Sequence, residues 1–410
     1  MLKSAVLRRS GALLLCSLLL TVSLAAAAAP RTAAAAAVAA TPPVPTAKDP
    51  LALQSPAAVL MDAASGRVLY ARAEHERRSP ASITKLMTML LTYEALREGK
   101  VKADDPVVTS AEAVKMGGTQ IYLEDGETLP LRDMLKAVAI ASANDAAVAL
   151  AEHLAGSHEQ FVEHMNARAR ELGMNDTQFK NSTGLDADGH FSSAYDIALL
   201  SRHLALYYPE ALELTKVYQD KLQLPHRRKE KVFNLDNRNK LVLFYQGADG
   251  LKTGFTSTSG YCLAATAKRG ETRMVAVVLG SADPKLRQAE TIKLLNFGFA
   301  NYRTVVLAPA GKAQAQVLVR RGRQEQVAAV PRAAFGVSVA KGEENKLQLV
   351  VEAAPVEAPV ARGAVVGRLL ATLDGRELGR MELVAAADVA RATLWSSVGG
   401  LFGRLFDFRR

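Results

Sequence analysis

The sequence predicts an α+β domain (residues 51–303), a small all-β domain (304–386) and a C-terminal amphipathic helix (387–410). Three observations carry this prediction. Strand-like segments stand at both ends of the first region with helical patterns between them. After Tyr302 the helical periodicity gives way to strict alternation, and the last 24 residues gain a one-sided apolar face. With 410 residues, 49% of them hydrophobic, the chain can bury a large core.

The N-terminus predicts export. Lys3, Arg8 and Arg9 precede the apolar run "GALLLCSLLLTVSLAAAAAP", which ends in small residues. This is typical of a secretory signal peptide, and we place its end near residue 29. An uncleaved membrane anchor is the alternative reading. Residues 30–50 are an Ala/Pro tract that lacks an amphipathic stripe, so they are interpreted as a flexible linker.

Charge and cysteine content narrow the classes of function. The net charge is +10, which favours anionic partners, but the sequence has no signature of nucleic-acid binding and no Cys/His finger. Removing the three cationic residues of the signal leaves the chain near +7. Cys262 is then the only cysteine, so an internal disulfide is excluded and a buried apolar role is expected.

The α+β domain is predicted to begin with a hairpin, "SPAAVLMDAASGRVLYARA", which turns at Asp62–Gly66. Helical periodicity and strand-like apolar runs then follow one another. The predicted helices cover residues 83–98, 131–153, 158–172, 193–206 and 284–302, and the predicted strands are "KVFNL", "KLVLFY", "GYCLAATAKRG" and "TRMVAVVLGS".

The small β domain is predicted from alternation. "KAQAQVLVRRG" places Ala313, Ala315, Val317 and Val319 on one face, and "NKLQLVVEA" and "AVVGRLLATLDGRELGRMELVA" continue the pattern. Asp374-Gly375 is a signal for a tight hairpin.

The last segment, 387–410, is predicted to lie in a membrane interface. It is too short and too charged to span a bilayer. A helix docked on the protein's own β domain is the alternative. The apolar face consists of Leu394, Trp395, Val398, Leu401, Phe402, Leu405 and Phe406, and the charged residues are Arg391, Arg404, Arg409 and Arg410 against Asp388 and Asp407.

"RRSPASITKLMTMLLTYEAL" places Ser82 and Lys85 three residues apart at the start of a helix, where side chains share a face. A serine hydroxyl needs a base to become a nucleophile, and a desolvated lysine supplies one. The pair therefore indicates a nucleophile with its own base. A second S-x-x-K, Ser338 to Lys341, lies in the β domain without such partners and is interpreted as chance.

Two further motifs follow in the chain. Ser142-Ala143-Asn144 interrupts an apolar helical run with a hydroxyl and an amide, which alone would also suit a helix cap. Lys252-Thr253-Gly254 precedes an apolar strand. The lysine and threonine could hold a carboxylate, and the glycine would let a substrate backbone approach.

Ser-x-x-Lys, Ser-x-Asn and Lys-Thr-Gly in this order form the signature of the serine penicillin-recognising enzymes. Together with "SANDAAVALAEHLAGS", "NSTGLDADGHFSSAYDIALL", "NRN" and "DGLKTGFTSTSGYCLAATAKRG", they make the chain resemble the serine-type D-alanyl-D-alanine carboxypeptidases, the low-molecular-mass penicillin-binding proteins. The resemblance covers most of the mature chain. It departs at Ala143, where many relatives have glycine.

The resemblance implies a β-lactamase/transpeptidase-like fold, peptidoglycan stem peptides and β-lactam antibiotics as partners, and no cofactor or metal. Ser82 would form the acyl-enzyme, with Lys85 as its base and Ser142 relaying a proton to the leaving amine. Asn144 would bind the substrate backbone, and Lys252, Thr253 and Arg238 of "NRN" its terminal carboxylate. The main-chain N–H groups of Ser82 and Phe255 would hold the oxyanion. The implied location is the periplasmic face of the cytoplasmic membrane.

Other functions were weighed. A class A β-lactamase needs a glutamate between the second and third motifs, but residues 181–196 offer only Asp186, Asp188 and Asp196. A D,D-endopeptidase has the same chemistry and stays open. A zinc peptidase is disfavoured because His153, His158 and His164 lack the H-E-x-x-H spacing and look like surface residues. The chain also lacks the G-x-S-x-G of many His-based serine hydrolases, and a degenerate, non-catalytic wall-binding protein is the remaining alternative.

Overall fold

The computed structural model describes residues 49–224 and 231–392. The predicted signal peptide, most of the predicted linker and residues 393–410 of the predicted C-terminal helix lie outside the described residues.

The first domain has strands at both ends and mostly helices between them, as the α+β prediction requires. The strands are β1 Ala57–Asp62, β2 Val68–Arg72, β3 Pro106–Val108, β4 Thr128–Pro130, β5 Gln219–Gln223, β6 Val232–Asp236, β7 Ala248–Thr256, β8 Gly260–Arg269, β9 Thr272–Ser281, β10 Tyr302–Ala308, β11 Ala315–Arg320, β12 Gln326–Pro331, β13 Phe335–Ala340, β14 Leu347–Ala353, β15 Val356–Glu357, β16 Val365–Leu373 and β17 Arg376–Ala385. The helices are α1 Lys85–Arg97, α2 Ala111–Val114, α3 Leu131–Lys136, α4 Asn144–Ala155, α5 His158–Glu171, α6 Ala194–Tyr207, α7 Glu210–Thr215, α8 Leu241–Phe244 and α9 Pro284–Asn301.

A five-stranded antiparallel sheet, in the order β2-β1-β9-β8-β7, is the centre of the first domain. Alternate residues of β1 face opposite sides of the sheet. Val59 and Met61 join a large core with α1, α4 and α6, whereas Ala58 and Leu60 pack with Leu294 of α9. The sheet is therefore covered by helices on both faces, and β7 lies at its edge.

The predicted helix over residues 131–153 is wrong in one respect, because it is broken in the middle. α3 passes into a π-helical turn, Ala137–Ala141, and Ser142 then adopts a left-handed conformation with φ 66° before α4 begins. Apolar periodicity reports burial and not backbone handedness, so the pattern continues through the break. "KLVLFY" was also predicted wrongly as a strand, since Leu241–Phe244 is a short helix whose first N–H donates to Asn239 Oδ1.

The second domain is all-β, as predicted. A six-stranded sheet has the order β14-β16-β17-β12-β11-β15, and β10 pairs with β13. Val317 and Val319 of β11 are buried, although Ala313, predicted on the same face, is exposed. Asp374-Gly375 forms the predicted turn between β16 and β17.

The six described residues of the predicted C-terminal helix, 387–392, are not helical. Val389 bridges to Val360, and Arg391 bridges to Gly322. Any helix therefore begins after Ala392. In the described parts of the chain, every helix is too short or too polar to cross a bilayer.

Candidate active site

The first motif forms a compact catalytic pair. Ser82 lies in a 3-10 turn, Ala81–Thr84, and Lys85 is the first residue of α1. The i,i+3 spacing brings Lys85 Nζ to 3.1 Å from Ser82 Oγ. Lys85 is fully buried, and Ser82 remains half-exposed at the surface of a cleft. The predicted nucleophile and base are thus in contact.

Lys85 Nζ has two further hydrogen-bond partners. It donates to Asn144 Oδ1 at 2.5 Å and to the main-chain carbonyl of Thr183 at 2.6 Å. Asn144 Nδ2 donates to Gly117 O at 2.6 Å, which fixes the amide so that its oxygen faces Lys85. Both partners are therefore pure acceptors.

Burial lowers the pKa of Lys85 well below its ordinary value, and the nearby Lys252 adds to this, against a smaller opposite effect of Asp145. A neutral amine has two N–H bonds and one lone pair. With Asn144 Oδ1 and Thr183 O accepting the two protons, the lone pair is left for the hydroxyl of Ser82. This arrangement prepares Lys85 to act as a base.

The second motif lies at the helix break. Ser142 is nearly buried in its left-handed position, and its hydroxyl makes no hydrogen bond to another described residue. The predicted proton relay therefore stays a prediction. Asn144 was predicted to bind substrate; in the structure its side-chain oxygen accepts a hydrogen bond from Lys85 and so positions the lysine. Ala143 has φ −60°, so alanine in place of the glycine of many relatives causes no backbone strain.

The third motif is part of β7 itself, so Lys252, Thr253 and Gly254 form the sheet edge beside Ser82. Gly254 was predicted to admit substrate backbone. The structure gives another reason for it: a Cβ there would lie 2.8 Å from Pro80 O and 3.1 Å from Ala81 Cβ. Glycine is required because β7 packs directly against the turn that carries the nucleophile.

Lys252 is 3% exposed, and its Nζ donates to Thr253 O at 3.0 Å. Burial, together with Arg238 and Arg287, lowers the pKa of Lys252 to about 7. Arg238 is exposed at the cleft, on a loop that its flanking asparagines anchor. Asn237 Nδ2 donates to Thr215 O and Val217 O. The cleft therefore concentrates positive charge opposite the nucleophile.

The cleft has a volume of about 460 Å³ and an aromatic rim. Phe255 is 50% exposed and stacks on Tyr261 with ring centroids 4.3 Å apart. On the rim, Tyr122 lies against Phe233 at 6.3 Å. The cleft is lined by Ser82, Gly118, Thr119, Gln120, Tyr122, Asn144, Gly184, Leu185, Phe233, Arg238, Phe255 and Thr256.

The loop 181–185 supplies the carbonyl that sequence reasoning missed. Thr88 Oγ1 donates to Ser182 O at 2.8 Å, and Ser182 N donates to His158 Nε2 at 3.1 Å. His158, predicted to be a surface residue, is instead a partly buried anchor of this loop. Gly184 has φ +84°, and a Cβ there would overlap the carbonyl oxygen of Ala81. The loop thus lies directly on the nucleophile turn.

His190 is a second anchor that the sequence did not reveal. Its Nδ1 accepts from Lys180 N at 3.0 Å, so Nε2 carries the proton and donates to Thr84 Oγ1 at 2.8 Å. Burial lowers the pKa of His190 to about 4, which keeps the ring neutral near pH 7. The neutral imidazole thereby connects Lys180, which precedes the loop 181–185, to Thr84, which lies between Ser82 and Lys85 in the chain.

The structure also bears on rival motifs. Asp186 accepts from Ser79 and Thr256 hydroxyls, and Asp196 accepts from Thr177 and from the N–H of Asp176, so both have structural partners. Ser338 of the second S-x-x-K is fully buried against Thr304, and Lys341 Nζ donates to Phe299 O instead. Cys262 is buried, as predicted.

Comparison with known proteins gives a consistent result. A family model described as D-alanyl-D-alanine carboxypeptidase matches residues 44–283, and one described as the penicillin-binding protein 5 C-terminal domain matches residues 302–391. The chain is 42% identical over 344 residues to the D-alanyl-D-alanine carboxypeptidase DacF of Bacillus subtilis, covering 83% of this chain and 87% of DacF.

Solved structures agree. Penicillin-binding protein 5 from Haemophilus influenzae is 31% identical with a TM-score of 0.69, covering 86% of this chain and 99% of that one. Penicillin-binding protein D2 from Listeria monocytogenes, solved in an ampicillin-bound form, is 34% identical with a TM-score of 0.55, covering 61% and 99%.

Proposed function

The chain belongs to the D-alanyl-D-alanine carboxypeptidase family, and from this premise we propose that it removes the terminal D-alanine of peptidoglycan pentapeptides through an acyl-enzyme on Ser82. The same serine is the site that penicillin acylates. The observation that carries this proposal is the buried Lys85 amine, 3.1 Å from Ser82 Oγ and held by two acceptors.

Acylation begins when Ser82 Oγ attacks the carbonyl between the two D-alanines and Lys85 takes the hydroxyl proton. The negative charge develops on the carbonyl oxygen, and the main-chain N–H groups of Ser82 and Phe255 would stabilise it. The close packing of Gly254 on the nucleophile turn supports this pairing of the two N–H groups. The peptide C–N bond then breaks as a proton passes to the leaving D-alanine amine, with Ser142 as the relay, and water later hydrolyses the ester on Ser82 to release the shortened peptide.

The terminal carboxylate of the substrate would be held by Lys252, Thr253 and Arg238. Lys252 is buried and its pKa is lowered to about 7, so an incoming carboxylate would favour the charged form of its amine. This recognition requires a free C-terminus, which distinguishes a carboxypeptidase from an endopeptidase acting on cross-links.

The test of this function compares three substrates: a pentapeptide ending in D-Ala-D-Ala, its C-terminal amide, and a cross-linked peptide dimer. We expect one D-alanine to be released from the acid, at a kcat/KM about 10²-fold above that for the amide, because a buried charged partner is lost in the amide. Equal cleavage of the amide with faster cleavage of the dimer would favour the endopeptidase.

The preference for the acid should depend on pH. Lys252 is charged below pH 7 and loses its proton as the pH rises through about 7. Above that pH, carboxylate binding must take up a proton, so the ratio of kcat/KM for the acid to that for the amide should fall by up to about tenfold per pH unit. Lys85 acts on both substrates and cancels in the ratio. A ratio that is constant from pH 6 to 9 would contradict this role of Lys252.

We further propose that the protein is exported and held at the periplasmic face of the cytoplasmic membrane by residues 393–410. The signal-like N-terminus supports export. The apolar and aromatic residues of the tail, with an excess of arginine, support binding in an anionic interface.

Trp395 is the only tryptophan and reports on the tail. Anionic vesicles should shift its emission to the blue and protect it from aqueous quenchers, and high salt should partly reverse the shift. Unchanged emission on vesicles, or full membrane binding after deletion of the tail, would refute the anchor.

A further inference from the structure

A turn in the β domain concentrates arginine at the point where the described chain ends. The connection between β11 and β12 reads Arg320-Arg321-Gly322-Arg323, and its three arginines are exposed. Arg391, also exposed, bridges to Gly322 from the opposite segment. We name residues 320–325 the basic hairpin.

The basic hairpin is fixed to the last described residues. Arg323 N donates to Ala390 O, and Ala392 N donates to Arg321 O, both at 2.8 Å. A Cβ on Gly322 would lie 2.6 Å from Gln324 O and 2.9 Å from Val389 Cγ1, so the turn is tightly packed. Residues 393–410 therefore follow directly on a residue that is hydrogen-bonded to this group of arginines.

The arginines of the basic hairpin are largely unpaired. Within the described ranges, Arg320, Arg323 and Arg391 make no ion pair. Arg321 Nη1 is 4.0 Å from Glu357 Oε2, at the limit of an ion pair. Glu325 belongs to the hairpin itself, and Asp388 precedes Val389, which packs on Gly322. Four arginines against the three acids Glu325, Glu357 and Asp388 leave this end of the domain positive.

The other end of the same sheet is different. β17 begins at Arg376, and the chain passes Ala385, opposite Ala329, before it reaches the basic hairpin at Arg391, opposite Gly322. Near that end Arg380 pairs with Glu377 at 2.7 Å. Further along, Arg368 of the neighbouring strand, opposite Glu382, pairs with Glu352 at 2.5 Å. Arg376 is exposed and, like the hairpin arginines, makes no ion pair with a described residue. The hairpin is distinguished by having four arginines close together at the point where the tail begins.

We propose that the basic hairpin is a second membrane contact, which places Arg320, Arg321, Arg323 and Arg391 against anionic lipid headgroups. The inference rests on the proposed membrane anchor and extends it. Each arginine near an anionic bilayer strengthens binding by roughly fivefold. Because the tail follows directly on Ala392, which is hydrogen-bonded to Arg321 of the hairpin, the two contacts reinforce each other and orient the β domain on the membrane.

The first test measures binding of the full mature chain to vesicles that contain either neutral lipid alone or about one-third anionic lipid. The variant is Arg320→Gln/Arg323→Gln/Arg391→Gln, and the matched control is Arg368→Gln/Arg376→Gln/Arg380→Gln on β16 and β17, away from the hairpin. We expect the first variant to bind anionic vesicles about tenfold to a hundredfold more weakly than the parent, with unchanged binding to neutral ones. The control should keep the parent's affinity. Equal affinity of both variants for anionic vesicles would overturn the proposal.

The second test separates the hairpin from the tail. A fluorophore sensitive to polarity is attached at Gln324→Cys or, as the control, at Asp374→Cys; Cys262 is buried and is not labelled. On anionic vesicles the probe at position 324 should shift to the blue, and the probe at 374 should not. If Trp395 responds but position 324 does not, the anchor stands and the hairpin contact is wrong. If neither responds, both are wrong, and a response of position 324 to a soluble polyanion but not to vesicles also overturns the proposal.

Discussion

Replacement of Lys85 by arginine is expected to lower the rate of Ser82 acylation by about 10²–10⁴-fold. A guanidinium keeps its charge near neutral pH, so it cannot accept the serine proton. Arginine also cannot reproduce the compact hydrogen bonds of Lys85 Nζ to Asn144 Oδ1 and Thr183 O. The measurement is the rate of covalent adduct formation with a penicillin, together with D-alanine release from the pentapeptide.

The chain offers its own control for this substitution. Lys341 belongs to the second S-x-x-K, but its Nζ donates to Phe299 O and its Ser338 is buried. Lys341→Arg should therefore leave both rates within about twofold of the parent. A Lys85→Arg variant that acylates at the parent's rate would show that another group is the base.

Gly184→Ala is expected to damage both activity and stability. Its φ is +84°, and the new Cβ would overlap the carbonyl oxygen of Ala81, in the turn of the nucleophile. The loop and the turn must separate, which moves Thr183 O away from Lys85. A displacement of this kind costs about 10²-fold in kcat/KM, and overpacking adds about 1–3 kcal/mol of destabilisation.

The Gly99→Ala variant separates the effect of left-handed backbone strain from that of the overlap with Ala81. Gly99 has φ +70° but no atom within 4 Å of a built Cβ. The Gly99→Ala variant should be destabilised only by the roughly 1–2 kcal/mol that a left-handed alanine costs, and it should keep full activity. Chemical denaturation and kcat/KM of both variants provide the comparison; equal stability and activity losses would mean that the loop does not press on the nucleophile turn.

The sequence motifs predicted the family and the side chains that meet in the cleft, and the order of strand-like and helical segments predicted the α+β fold. Ser82 and Lys85 could be paired because i,i+3 spacing on a helix fixes their distance. Lys252 was predicted from its motif as a carboxylate ligand and Arg238 through the resemblance, and the structure places both at or beside the cleft.

The rest was hidden for physical reasons. One hydrogen-bond acceptor of Lys85 is the main-chain carbonyl of Thr183. No sequence motif can predict it, because every residue has a main-chain carbonyl. The helix break at Ser142 is imposed by tertiary contacts such as the donation of Asn144 N to Thr119 O at 2.7 Å, which leave the apolar pattern intact. His158 and His190 act through partners 24 and 106 residues away in the chain, a separation that local spacing does not encode.

The central claim is that Ser82 is the nucleophile, and mass spectrometry after treatment with a labelled penicillin tests it most directly. The intact protein should gain the mass of one penicillin, and peptide mapping should place it on the peptide that contains Ser82. Ser82→Ala should show no adduct, with folding confirmed by an unchanged unfolding transition. An adduct that persists in this variant, on Ser338 or any other residue, would contradict the account.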